Sequence, residues 1–124
     1  VARAVLEGIC FEMRDILDAQ AAAGIEAGTI RLVGGAAKSA LWSQMLADVL
    51  QRPIEILRTS EAGCLGAAMY AGVGAGLYSS CEEAAARAVA VVGRFDPDPA
   101  AGAAYDQAFK RFVDLYESLD TGVF

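Results

Sequence analysis

Two short apolar runs constrain this chain most: Thr29-Ile30-Arg31-Leu32-Val33 and Ile54-Glu55-Ile56-Leu57. Both are rich in branched residues and too short for a helix, so both read as strands. Between them, Leu41, Trp42, Met45, Leu46 and Val49 recur at helical spacing. Strand, helix, strand in that order predicts a right-handed parallel βαβ unit. Both strands read as buried. A two-stranded parallel sheet among several helices is a poor fold by itself, because parallel sheets normally have more strands and cover on both faces. The chain is therefore expected to be a piece of a larger α/β sheet whose other strands lie upstream.

The flanking pattern is helical. Val5, Ile9, Met13 and Ile16 make an apolar stripe, widened by Leu6, Cys10 and Leu17, that predicts a helix over residues 2–23, ended by Gly24 and Gly28. Ser39 is a good N-cap for a helix over residues 40–50, which Pro53 closes off. Ser60 is expected to cap a helix over residues 61–71. Ser80-Cys81-Glu82-Glu83 reads as a capping box for a helix reaching residue 92, with Gly93 at its C′ position. Phe95-Asp96-Pro97-Asp98-Pro99 reads as a rigid loop before a last helix over residues 101–119. The expected order is α–β–α–β–α with two parallel strands, followed by two C-terminal helices.

Strand, glycine turn and helix start meet at Gly34-Gly35-Ala36-Ala37-Lys38-Ser39. Such a junction aims backbone N–H groups at one point, which suits an anion such as phosphate. Neither standard phosphate fingerprint is present, for G-x-x-x-x-G-K-[ST] fails at Leu32 and Ala37, and G-x-G-x-x-G is absent. A tight turn without ligand is the competing reading. Gly72-Val73-Gly74-Ala75-Gly76 lies at a helix end and reads as termination. Gly63, Gly66, Ala67 and Ala71 give one helix a face of small side chains, expected to pack tightly or to wall a cleft beside Gly34-Gly35. Tyr105, Phe109, Phe112, Tyr116 and Leu119 form an aromatic stripe that reads as packing, beside the acidic Asp114, Glu117 and Asp120. Asp15, Asp18 and Asp48 read as solvated charges.

Composition removes several classes of function. The 124 residues carry a net charge of −6, which gives no footprint for nucleic acid or an anionic membrane. No histidine is present, so Ser-His-Asp and Cys-His catalysis are excluded within the chain. Cys10, Cys64 and Cys81 are odd in number and contain no CxxC, so reduced, mostly buried thiols in a cytoplasmic protein are expected, without a zinc site. The chain opens at Val1 directly on helical pattern, with no basic segment that would read as a signal peptide. Ala62 to Cys81 carries no charge, but its clustered glycines argue for a buried helix with a glycine-rich end over a membrane span.

Taken in order, Val33-Gly34-Gly35-Ala36-Ala37-Lys38-Ser39-Ala40-Leu41-Trp42, Met45-Leu46-Ala47-Asp48-Val49-Leu50-Gln51-Arg52-Pro53-Ile54 and Glu61-Ala62-Gly63-Cys64-Leu65-Gly66-Ala67-Ala68 resemble the C-terminal region of FGGY-family carbohydrate kinases, the xylulokinase type most of all. The segment from Arg3 to Asp15, the Phe95–Pro99 turn and the aromatic last helix fit the same pattern. The resemblance implies an actin-like, ribonuclease-H-like fold of two domains with ATP in the cleft. Residues 1–124 would be the C-terminal portion of the second, nucleotide-binding domain, without its upstream strands and without the N-terminal sugar-binding domain. It implies ATP/ADP and Mg²⁺ as cofactors, a nucleotide and a sugar as partners, and phosphoryl transfer to a sugar hydroxyl, a pentulose such as xylulose. It places the adenosine-side loop on Gly34, Gly35, Ala36, Ala37, Lys38 and Ser39, with the Gly35 N–H near the α-phosphate and ribose. Ala36 stands where many relatives carry a third glycine. The catalytic aspartate belongs to an earlier segment, so no catalytic residue, metal ligand or activity is expected in this chain alone. Two other readings stand beside this one: a noncatalytic actin-like nucleotide-binding protein, and a helix-rich interaction module. Exposed strand edges and apolar faces would make such a piece sticky, or pair it with another copy.

Overall fold

The computed structural model describes residues 1–119. Helix α1 (Ala2–Ala22) leads to strand β1 (Ile30–Leu32), helix α2 (Ala40–Leu50) and strand β2 (Ile54–Leu57). Helices α3 (Ala62–Gly74) and α4 (Cys81–Ala88) follow, then strand β3 (Val91–Phe95) and helix α5 (Pro99–Leu119). The strands form one sheet in the order β1-β2-β3. β1 and β2 run parallel, joined through α2 as expected, with Ile30 opposite Ile54 and Leu32 opposite Ile56. β3 runs antiparallel to β2.

β3 is a correction. The capping-box helix ends at Ala88, not residue 92, and Gly93 sits inside the strand opposite Ile56. Val89, Val91 and Val92 resist helix through their stiff χ1 and suit a pleated surface. Pairing of Val91, Gly93, Arg94 and Phe95 with β2 outweighs the alanine run before them. The start of α4 is as read: the Ser80 hydroxyl accepts from the Glu83 N–H at 3.2 Å. The Glu83 carboxylate reaches one residue further back than a standard capping box, to the Ser79 hydroxyl and N–H. Those two donors hold the Glu83 carboxyl below its ordinary pKa.

The glycine cluster after α3 terminates the helix. Gly76 takes φ +76° and donates to the Val73 carbonyl while Leu77 donates to the Gly72 carbonyl, a Schellman end. α1 ends the same way, with Gly24 at φ +83°. Asp98 opens α5 with its carboxylate on the Ala100 N–H, and Pro99 takes the first helical position.

α2 is the centre of the packing. Ser43, Met45, Leu46, Ala47, Asp48, Val49 and Leu50 are all buried, against α1 on one side and α5 on another. Ile30, Leu32, Ile54, Ile56 and Phe95 share one sheet face and join this core with Cys10 and Phe11 of α1. Phe11 lies among Tyr105, Phe109 and Phe112 of α5, with centroids 5.6–6.1 Å away. The aromatic stripe thus packs over its first half only, since Tyr116 and Leu119 are 63% and 70% exposed. Asp120 lies outside the described residues.

The expectation of strands buried on both faces is also corrected. The second face carries Arg31, Glu55 and Arg94 in register, with Arg31 3.3 Å and Arg94 3.7 Å from the Glu55 carboxylate. Among the described residues no helix is long and apolar enough to cross a membrane.

Truncating the fully buried Leu46 to Ala should lower stability by about 2–5 kcal/mol, since a cavity opens at the centre of α2. The exposed Leu115→Ala should stay within about 0.5 kcal/mol. Urea unfolding followed by Trp42 fluorescence reads both.

Candidate functional site

The loop between β1 and α2 is built by three backbone requirements. Gly34 takes φ +79°, a conformation that L side chains rarely adopt. Gly35 turns back to helical angles and opens a single 3₁₀ turn, Ala36–Lys38. Ser39 then leaves the turn in extended conformation and caps α2, its hydroxyl accepting from the Trp42 N–H at 3.3 Å. The Ser39 carbonyl receives the Ser43 N–H at 2.9 Å.

Within the turn, Lys38 N–H bonds the Gly35 carbonyl and Ser39 N–H bonds the Ala36 carbonyl, both at 3.1 Å. The N–H groups of Gly35, Ala36 and Ala37 precede this ladder and have no partner in it. A Cβ placed at Gly34 or Gly35 would meet nothing within 4 Å, so open space lies beside these two residues. Lys38 is exposed and forms no ion pair among the described residues. Amides outside the ladder, beside a free cation, fit an anionic group such as a nucleotide phosphate. The residues expected at the site, Gly34 to Ser39, therefore form one contiguous, outward-facing turn.

The expected second wall is not assembled. α3 packs chiefly on α4, and positions Gly63 and Gly66 face open space. Only Gly72 of this helix is buried, against the Tyr78 ring, where a Cβ would come within 2.7 Å of it.

Asp48 is a further correction. It is 8% exposed, and its Oδ1 accepts from Gln44 Nε2 and from the Asp98 N–H, both at 2.8 Å. No signal near it in the sequence separates it from a solvated aspartate, because its main-chain partner, Asp98, is fifty residues away. Asp15 and Asp18 are exposed, as expected. The cysteines divide differently from the expectation: Cys10 is buried, whereas Cys64 and Cys81 are exposed, and all three are free. Burial pushes the Cys10 thiol pKa up, opposed in part by the Trp42 side chain. Trp42 Nε1 itself has no hydrogen-bond partner of acceptable geometry, so its approach to the thiol is a weak contact. Ser43 Oγ, also buried, has none either. No group of three or more potential metal-ligating side chains occurs among the described residues.

A model of the FGGY family of carbohydrate kinases, C-terminal domain, matches residues 1–75. The chain belongs to this family. It is 35% identical over 117 residues to an L-xylulose/3-keto-L-gulonate kinase of Escherichia coli, covering 94% of this chain and 24% of that protein. It is 38% identical over 116 residues to a glycerol kinase of Psychromonas ingrahamii, covering 91% and 23%. The crystal structure of xylulose kinase from Rhodospirillum rubrum superposes with a TM-score of 0.81 at 30% identity, over 94% of this chain and 24% of that one. The chain thus spans about a quarter of the length of the relatives it matches. Its α/β architecture is part of the actin-like fold of these FGGY kinases.

Three measurements test the local geometry. Ser39→Ala should cost about 1 kcal/mol by removing the cap of α2, with Ser39→Asp restoring it. Gly34→Ala should cost about 1–2 kcal/mol, because its backbone is left-handed. A maleimide at pH 8 should label Cys64 and Cys81 within the time that leaves Cys10 unmodified, read by mass spectrometry.

Proposed function

We propose that this chain is the nucleotide-binding C-terminal portion of an ATP-dependent sugar kinase. Residues 1–124 would complete the second domain of a longer protein, whose upstream strands pair with the free edge of β1. The observation that carries the reading is the turn Gly34–Ser39, opened by the left-handed Gly34, set on a chain that belongs to the FGGY family.

ATP, with Mg²⁺, supplies the phosphoryl group that passes to a sugar hydroxyl. The chain's own part is binding and orientation. Gly34 turns the backbone so that the amides of Gly35 and Ala36 lead the 3₁₀ turn, and the Gly35 amide is assigned to the α-phosphate and ribose side. Lys38 adds positive charge beside them, and Ser39 fixes the loop to the first turn of α2. Ala37 is half-buried within the 3₁₀ turn. An aspartate outside this chain accepts the hydroxyl proton. The acceptor proposed is a pentulose such as xylulose, because the relatives at hand include an L-xylulose/3-keto-L-gulonate kinase and a xylulose kinase. The proposed compartment is the cytoplasm, which keeps the exposed Cys64 and Cys81 as thiols.

The whole protein that carries this chain should phosphorylate xylulose with ATP, and EDTA should abolish turnover. The 124-residue chain alone should show no turnover. Gly35→Val, which places a side chain in the open space beside Gly35, should raise KM for ATP roughly tenfold and leave KM for the sugar unchanged. Phosphorylation of glycerol but not xylulose would refute the pentulose alone. An absence of ATP-dependent thermal stabilisation in the whole protein would overturn the nucleotide reading and favour an interaction module.

A further inference from the structure

The family match stops at residue 75, yet β3 and α5 lie beyond it and are fastened to α2 by a seam of polar contacts. Asp48 Oδ1 holds the Asp98 N–H at 2.8 Å. Gln44 Nε2 bridges Asp48 Oδ1 and the Asp96 carbonyl, at 2.8 and 3.0 Å. Gln51 Nε2 donates to Asp106 Oδ1 at 2.7 Å, and Arg14 of α1 reaches the same oxygen at 2.8 Å. Between these contacts Gly102 lets α5 approach α2 closely: a Cβ there would lie 3.6 Å from the Asp48 carbonyl and 3.5 Å from Gln51 Cγ.

α2 therefore has two differently held ends. Its first turn carries the Gly34–Ser39 loop through the Ser39 cap, and its later turns are locked to the β3–α5 segment. A helix transmits a tilt along its length, because its backbone bonds close every turn. We infer that Asp48 and Gln44 are positioning residues for the nucleotide loop: by fixing α2 against the turn at Asp96–Asp98, they hold the Gly35 and Ala36 amides in register for a nucleotide phosphate. This rests on the reading of the loop as a nucleotide site. Neither side chain touches the nucleotide. Apolar packing alone leaves α2 free to slide or rotate by small amounts, whereas directional bonds at Asp48 and Gln44 select one setting.

The test uses the whole protein that carries this chain, with two readouts: the Kd for ATP with Mg²⁺ by calorimetry, and the thermal midpoint without ligand. Asp48→Leu removes the acceptor and leaves the Asp98 N–H unpaired. Asp48→Asn keeps an acceptor oxygen in the same place. Gln44→Met removes the bridge from a half-buried position and tolerates folding better than Asp48→Leu. Gln44→Met and Asp48→Leu should weaken ATP binding roughly tenfold, whereas Asp48→Asn should stay within about twofold of the unsubstituted protein. Should Asp48→Leu fail to fold, Gln44→Met carries the test alone. A lower thermal midpoint with an unchanged Kd for ATP in Gln44→Met would reduce the seam to structural support and overturn the inference. If the unsubstituted protein itself binds no ATP, the reading of the loop falls, and this inference falls with it.

Discussion

Burial of α2 is the constraint on which the rest depends. Of its 11 residues only Ala40 and Leu41 are exposed, Trp42 and Gln44 are half-buried, and the other seven are enclosed by α1, α5 and the sheet. An element enclosed this way gains by pairing its polar groups internally, although Trp42 Nε1 and Ser43 Oγ stay unpaired. Asp48 and Gln44 do so by taking partners from the loop before α5, while Arg14 donates to the Val49 carbonyl from α1 and lies 4.5 Å from the Phe109 ring centroid. The polar contacts of α2 are thus also the joints between α1, α2 and α5. The first turn of α2, with the glycine loop ahead of it, reaches solvent at Ala40 and Leu41.

Much of this was legible in the residues. The βαβ unit follows from two apolar runs and an amphipathic stretch, and α2 and β2 occupy the expected residues. Local chemistry sets these boundaries: Ser39 caps, Gln51 takes a left-handed φ of 51°, and Pro53 cannot continue a helix. The candidate loop was equally legible, since glycine at a strand-to-helix junction reports the backbone angle it must adopt.

What was hidden depends on contacts distant in sequence. β3 exists because β2 offers it an edge, and nothing within residues 88–95 alone reveals that partner. Asp48 looks like any surface aspartate until Asp98, fifty residues later, places an N–H against it. The small-residue face of α3 shows the reverse error. Gly63 and Gly66 suggest close packing, but close packing needs a neighbour, and the described residues place none there. A helix uncharged along its length, with only Gly72 buried, is not a stable surface element in water. Its composition accords with a longer protein, as does coverage of a quarter of each relative.

The charged face of the sheet explains why so short a ladder holds one register. Arg31, Glu55 and Arg94 are partly exposed, so each ion pair is worth about 0–1 kcal/mol and the set adds little stability. Their effect is larger on the alternatives. Sliding β2 by one residue against its neighbours would turn Glu55 into the space that Ile54 fills at 0% exposure, and would turn Ile54 toward the two arginines. A carboxylate among Leu46, Val49 and Cys10 would lose its hydration without gaining a partner. With three residues in β1 and four in β2, hydrogen bonds alone discriminate weakly between neighbouring registers. The alternation of isoleucine with charge makes the choice, and with it sets where β1 ends and the Gly34 turn begins.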